Sequence, residues 1–223
     1  GLSAGEAVTT AVGGVAIGDS AMAKTTTGNY NIAIGNDALY KNTTGANNVA
    51  IGNRALYGGG TSTASNNIAI GEYALDDITT GDSNVAIGFT TGWYATTGTQ
   101  NTLVGGYAGR AVTTGSNNTF LGWEAGSTGE PINTGDNNIV IGYQAAASAV
   151  GVDNEMTLGG AAIDNVRFPQ DGIIFNYGVN SDVTLTHVHN AGLMLNAAMQ
   201  LRFRDSAISI GSPADGDLDI NAD

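Results

Sequence analysis

A seventeen-residue unit recurs through this chain, and a period that short leaves few folds open. Aligned on the glycine that follows an apolar triplet, the units place Gly18, Gly35, Gly52, Gly71, Gly88, Gly105, Gly122, Gly142 and Gly159 in one column. Successive intervals are 17, 17, 19, 17, 17, 17, 20 and 17 residues, with insertions near "GGGTSTAS" and "STGEPIN". Gly1 sits one further period upstream of Gly18. Other columns hold the same register. Asn31, Asn48, Asn67, Asn84, Asn101, Asn118 and Asn138 lie four residues before the anchor. Gly28, Gly45, Gly81, Gly98, Gly115 and Gly135 lie seven before it, each preceded by threonine. Alanine lies three after it in most units, as at Ala38 and Ala55.

Seventeen residues are too few for a helical hairpin and suit short strands joined by turns. The expected fold is therefore all-β: a parallel β-solenoid, or β-roll, of 17-residue coils over residues 1–163. "NVAI" reads as one strand and the "AL" segment as a second, shorter one. The anchor glycine bends the chain between them at positive φ, and the glycine of "TTG" supplies an unusual dihedral at the other corner. Coils stack at about 4.8 Å, so nine give a rod of roughly 40 Å. Stacked asparagines are expected to form side-chain ladders along it. The composition agrees: 34 glycines among 223 residues, 12% charged and 7% aromatic, a profile of repetitive β architecture.

The triplet bears on assembly. Its outer residues point one way and its middle residue the other. Both sets are apolar: Val15/Ile17 or Ile32/Ile34 outside, Ala16, Ala33, Ala50, Ala69 and Ala86 in the middle, then Leu103, Phe120 and Val140. A strand with one wet face alternates apolar and polar residues, so both faces are expected to be buried. One coil has a single interior, and the simplest cover for the other face is another copy of the chain. The middle residues are the expected interchain contacts, with the small alanines allowing close approach and Leu103 and Phe120 filling a wider gap. The residues by themselves imply self-association; a homotrimer is the expected form.

Several functions fall away. Seven Lys+Arg against twenty Asp+Glu give a formal charge of −13, which removes the basic footprint of a nucleic-acid binder and disfavours anionic membrane surfaces. Cysteine is absent, so no disulfide or thiolate metal site exists. No apolar run reaches the roughly 20 residues of a membrane-spanning helix. The first residues carry no basic-then-apolar leader pattern and no initiator Met, so a processed product or part of a longer chain is expected. "AIGNRAL" lacks the G-K-[ST] ending of a phosphate loop and is one copy of many. Asp76, Asp77 and Asp82 resemble paired carboxylates of a glycan-cleaving site but lie beside a turn where Asp is an ordinary former; Glu124 and Glu130 have no better claim. No catalytic residue is assigned. Calcium at the Asp-rich corners lacks the nonapeptide of calcium-binding rolls. The threonine column raises an ice-binding reading, but the Thr-x-Thr pattern is missing.

Two candidate sites remain. Tyr40, Tyr57 and Trp93 share the column five residues after the anchor and form a candidate glycan-stacking stripe, set against simple packing of the corner. His187 and His189 are the only histidines and face one way on "DVTLTHVH". In a trimer, six imidazoles at the axis match octahedral divalent-metal coordination; the alternative is two histidines bonded to water near a strand end. Beyond about Ala162 the period stops, and short alternating strands with dense turns over 164–223 predict an interlocked β region shared between copies.

The "NNVAIGNRAL…TTG" unit resembles the head repeats of trimeric autotransporter adhesins, which form left-handed parallel β-rolls. It resembles more closely the longer repeats of bacteriophage tail-fibre and related virion proteins, over about residues 9–163. "DVTLTHVHNAGLML" and "MQLRFRDSAISIGSPADGDLDINAD" look like segments of phage structural proteins. The resemblance implies a trimeric, non-enzymatic virion fibre exposed outside the cell, with H-x-H metal sites of the kind some such fibres use. Its expected partners are sister chains, other virion proteins and a host-surface glycan or protein, with no membrane insertion. The alternative it implies is a bacterial surface adhesin head; a glycan-degrading spike or an ice-binding solenoid is the distant third.

Overall fold

A computed structural model describes residues 1–127 and 133–160. The chain there is all-β, a parallel β-solenoid with no helix among the described residues. Nine three-residue strands form one sheet in chain order: β1 Val15–Ile17, β2 Ile32–Ile34, β3 Val49–Ile51, β4 Ile68–Ile70, β5 Val85–Ile87, β6 Thr102–Val104, β7 Thr119–Leu121, β8 Ile139–Ile141 and β9 Met156–Leu158. Each pairs in parallel with the next, residue for residue: Ala33 on Ala50, Ala50 on Ala69, Leu103 on Phe120. Neither insertion shifts this register, since Ile51 still meets Ile70 and Leu121 still meets Ile141. The chain begins in register as well, because the Gly5 amide donates to the Ala21 carbonyl and the Ser20 amide to that of Leu2, which ties residues 1–7 to the first full coil.

The inter-coil ladder continues past the strands. Within one coil, the amides of Gly35 and Asp37 donate back to Ile17 and Asp19, while those of Leu39, Lys41 and Thr43 donate forward to Ala55, Tyr57 and Ser62. Corners are therefore as well paired as strands, which meets the requirement that buried backbone groups find partners. This pairing holds ordinary residues in left-handed backbone: Asp37 and Leu39 both sit at φ 54, as do their counterparts Arg54 (φ 54) and Leu56 (φ 53). Such dihedrals persist where the surroundings over-determine them.

Those dihedrals replace the second strand expected over "AL". In a strand, neighbours point to opposite faces. Here the adjacent pairs Ala38–Leu39, Ala55–Leu56 and Ala74–Leu75 are all fully buried. A turn, not a strand, brings two consecutive side chains inward, and it doubles what that corner adds to the core.

The core also reverses the expected faces of the triplet. Ala33, Ala50, Ala69, Ala86, Leu103, Phe120 and Val140 are completely enclosed inside their own coil, and Ala16 is partly so at the first strand. These middle residues are not the interchain contacts expected of them. The outer residues, such as Ile32, Ile34, Ile68 and Ile87, face outward and are half-exposed. The physical reason is parity. The ladder asparagine and the middle residue are two positions apart, so Asn31 and Ala33 share a face, and Asn31 is buried. A coil of this length has no room for two β-branched side chains per strand as well.

The asparagine ladder is the polar spine of the core. Asn48 Nδ2 donates to Asn31 Oδ1 at 3.1 Å and to the Ala64 carbonyl at 2.8 Å, while its backbone amide donates to Asn31 Oδ1 at 2.9 Å. The pattern repeats through Asn67, Asn84, Asn101, Asn118 and Asn138 and ends where the Glu155 amide donates to Asn138 Oδ1. A buried amide left without partners costs about 1–3 kcal/mol, so a column of satisfied ones specifies the stacking register strongly.

The two glycine columns answer different needs. At the anchor, Gly35 has φ 141, and a Cβ there would lie 2.3 Å from the carbonyl oxygen of Gly52. At the "TTG" corner, Gly45 is not in left-handed backbone, contrary to expectation; a Cβ would lie 1.9 Å from the Ala64 carbonyl oxygen. Close stacking alone requires glycine there.

Candidate functional site: an aromatic and cationic edge

Side chains that follow the anchor glycine by one, two, five or six residues stand on the outer edge of the corner turn. Aromatic and basic residues collect there. Tyr40 stacks on Tyr57 with centroids 5.3 Å apart and planes 7° from parallel. Trp93 stacks on Tyr73 at 5.2 Å and on its neighbour Tyr94 at 5.6 Å. Edge-to-face contacts carry the series onward from Tyr73 to Phe89, Tyr107 and Trp123. Such pairs add about 0.5–1.5 kcal/mol each beyond simple burial.

The structure thus brings Tyr40 and Tyr57 together, as their shared column implies, but separates them from Trp93. Asp76 occupies that column in the intervening coil and is buried. Arg54 spans the gap: Nε donates to Asp76 Oδ1 at 2.9 Å and Nη2 to Oδ2 at 2.8 Å. Its guanidinium lies 4.0 Å from the Tyr57 centroid and 5.6 Å from that of Tyr73. The Asp76 hydrogen bond holds the guanidinium still more firmly protonated than usual. Arg110 sits among Trp93, Tyr94 and Tyr107, and its buried Nε has no hydrogen-bond partner among the described residues. Tyr73, Phe89, Tyr94, Tyr107, Trp123, Arg54 and Arg110 were not singled out from the sequence. The column two residues after the anchor, with Arg54, Tyr73 and Tyr107, carries that signal.

The carboxylates have structural partners. Asp76 is tied to Arg54. Burial first, and then the neighbouring Asp76 charge, pushes the Asp77 carboxyl above its ordinary value. Asp82 Oδ1 accepts the Ser65 amide of the preceding coil at 2.6 Å, a contact repeated where the Ser116 amide donates to Asp136 and the Asp136 amide to Asp153. Glu124 accepts from Gln144 Nε2. The threonine hydroxyls one position before the exposed threonine column are likewise spent on the next coil: Thr26, Thr79 and Thr96 Oγ1 donate to the carbonyls of Thr43, Thr96 and Thr113.

At the lower end of the edge, beside the first insertion, a groove of 460 Å³ is lined by Lys24, Tyr40, Lys41, Thr43, Gly60 and Thr61, among others. The arrangement offers ring faces and ammonium groups rather than a nucleophile with a base. The metal candidates His187 and His189, Glu130, and the interlocked region expected over 164–223 lie outside the described residues.

The fold defines a β-solenoid repeat protein. No family model, curated protein or solved structure matches the chain.

Proposed function

We propose that this chain is a non-enzymatic structural subunit of a phage virion fibre: a homotrimeric rigid stalk, exposed to the exterior, whose aromatic edge contacts the host surface. One observation carries the reading. The outward residues of β1 to β9 make two columns, from Val15 and Ile17 (41% and 56% exposed) up to Met156 and Leu158 (61% and 45%); the second is apolar throughout, and the first is apolar except at Thr102 and Thr119. At the stacking distance of about 4.8 Å, they cover a strip roughly 40 Å long and some 400 Å² in area. A mostly apolar strip of that size is as large as the largest patch on an ordinary monomer, and such patches are often interaction sites. The strip is regular and repeats with the coil, so a second solenoid in the same register can follow it from coil to coil. Cyclic symmetry then closes the assembly without an unmatched strip. The interchain contacts in this reading are the Val/Ile residues, not the enclosed alanines. The work of the molecule is mechanical: each coil is bonded to the next around most of its circumference, which resists bending. The virion assignment leans on the likeness of the repeat to phage fibre sequences.

The test is a native mass measurement on the intact chain and on I34K/I70K, which places two charges in the strip without touching the core. Three copies for the parent and one for the variant, with unchanged far-UV circular dichroism, is the expected result. A parent that is a folded single chain at micromolar concentration overturns the reading.

A further inference from the structure

The groove at the first insertion departs from the rest of the solenoid in charge, in shape and in the end of an aromatic stack. Lys24 and Lys41 occupy the same column in consecutive coils, and their backbones are adjacent rungs, with the Lys24 amide bonded to Tyr40 and that of Lys41 to Tyr57. Two ammonium groups one rung apart repel each other, as like charges directly opposite in a sheet do. Among the described residues the one ion pair is Arg54–Asp76, so no carboxylate pairs directly with either lysine; Asp77 attracts Lys41 only at longer range, and the Lys41 ammonium lies 4.5 Å over the Tyr57 ring. In a chain of formal charge −13, a stacked lysine pair stands out. The groove, at 460 Å³, has the size of a small-molecule site.

Tyr40 adds a second feature. One face is covered by Tyr57. The same column in the preceding coil holds Ala23, so the ring stack stops at Tyr40. The insertion adds a third: Gly60 and Thr61 form the far wall, and nothing lies within 4 Å of where a Gly60 side chain would begin. Thr43 Oγ1 gives its proton to the Ser62 carbonyl, which leaves its lone pairs for an incoming hydroxyl donor.

We infer that this groove binds an acidic saccharide, with the ring of the sugar against Tyr40 and its carboxylate or sulfate between Lys24 and Lys41. A saccharide joins the needed properties in one molecule: an apolar C–H face for the tyrosine, hydroxyls for the threonine edge and an anion for the lysines. The site lies within one chain, so it stands whether or not the chain forms trimers.

The test is titration of the intact protein, followed by saturation-transfer NMR, with three probes: a galacturonic acid disaccharide, a sulfated galactose disaccharide and neutral galactobiose. Either acidic probe should bind at least tenfold more tightly than the neutral one, and the better one names the anionic group. Binding should weaken as salt rises. K24A/K41A should lose at least tenfold of the acidic binding and Y40A should weaken it, while V150A, an exposed position outside the groove and the aromatic edge, leaves it unchanged. Thermal melting verifies that each variant is folded. Should neither acid bind at millimolar concentration, or acidic and neutral probes bind alike, or K24A/K41A bind as the parent does, the inference fails. A failure of the fibre reading shows separately, as a single-chain mass with the titration intact.

Discussion

The lower and upper halves of the solenoid solve one packing problem in opposite ways. In β2, β3 and β4 the middle residue is alanine, and six positions later the corner turn sends in Leu39, Leu56 or Leu75. In β6 and β7 the middle residue is Leu103 or Phe120, and the corner position becomes Gly109 or Gly126. A Cβ on Gly109 would lie 2.8 Å from Leu103 and 3.0 Å from Phe120; one on Gly126 would lie 2.7 Å from Phe120. The coil between them shows the crossover, since β5 keeps Ala86 but already has Gly92, which makes room for Leu103 from the coil above and Leu75 from the coil below. Bulk moves from the turn side of the core to the strand side while the coil keeps its circumference. Interiors are packed to near-crystal density, so what is conserved along the rod is the sum across the coil and not the residue in any column.

A third interior column changes with it. Thr25, Asn42 and Ser62 fill it in the first three coils, each bonded to the next coil or to a corner amide; Ile78, Ala95 and Val112 fill it from the β4 coil onward, one coil earlier than the leucine exchange. The first three coils thus bury hydrogen-bonded polar groups in this column where the later ones bury hydrocarbon. The asparagine ladder runs unbroken through both, which is why the register survives the exchange.

The sharpest way to break this comparison is Phe120→Ala. Gly109 and Gly126 on the turn side have no side chains to collapse into the space, so the loss should reach about 3–5 kcal/mol in chemical denaturation. A loss below about 1 kcal/mol would show that the upper core is not held by its strand-side bulk. A smaller effect tests the exchange directly. Ala50→Leu overpacks the lower core and should cost about 1–3 kcal/mol. Adding Leu56→Gly, which copies the upper arrangement, should recover at least half of that loss. A double-mutant cycle with no coupling would mean that the two positions do not share one volume. The smallest expected effect concerns Asp77, which has no counterpart charge in the upper half. Its carboxyl is raised in the folded state from an ordinary value of 3.8, so the folded form holds that proton more tightly than the unfolded form. Stability from this group is present below pH 3.8 and is lost as the pH rises through the higher folded value. Asp77→Asn should therefore stabilise the protein at pH 7 by about 0.5 kcal/mol or less, given how much of the side chain meets water. Melting curves of parent and variant should converge below pH 4, and a gap that widens there instead would refute the assignment.

Much of the fold could be read before any coordinates. The period, the anchor glycine and the asparagine column each name a backbone position, and all three sit where a parallel stack needs them. The faces of the triplet were misread because Val, Ala and Ile are all apolar and hydrophobicity alone cannot orient them. The parity of Asn31 with Ala33 would have done so. The second strand was misread because "AL" is short, and nothing in Asp37 or Leu39 announces left-handed backbone; the inter-coil hydrogen bonds impose it. The aromatic edge was half legible, since Tyr40 and Tyr57 share a column, whereas Tyr73, Trp93 and Arg54 meet from different columns across a corner.

By itself, then, the sequence determined that coils of one length stack in parallel, because a repeated chain pairs best with its own copy in register, and glycine recurs where two coils touch too closely for a side chain. Only the tertiary structure decided which apolar face turns inward and where the bulk of each coil lies. Those outcomes depend on a volume shared by three columns and two neighbouring coils, a quantity that no single position in the chain contains.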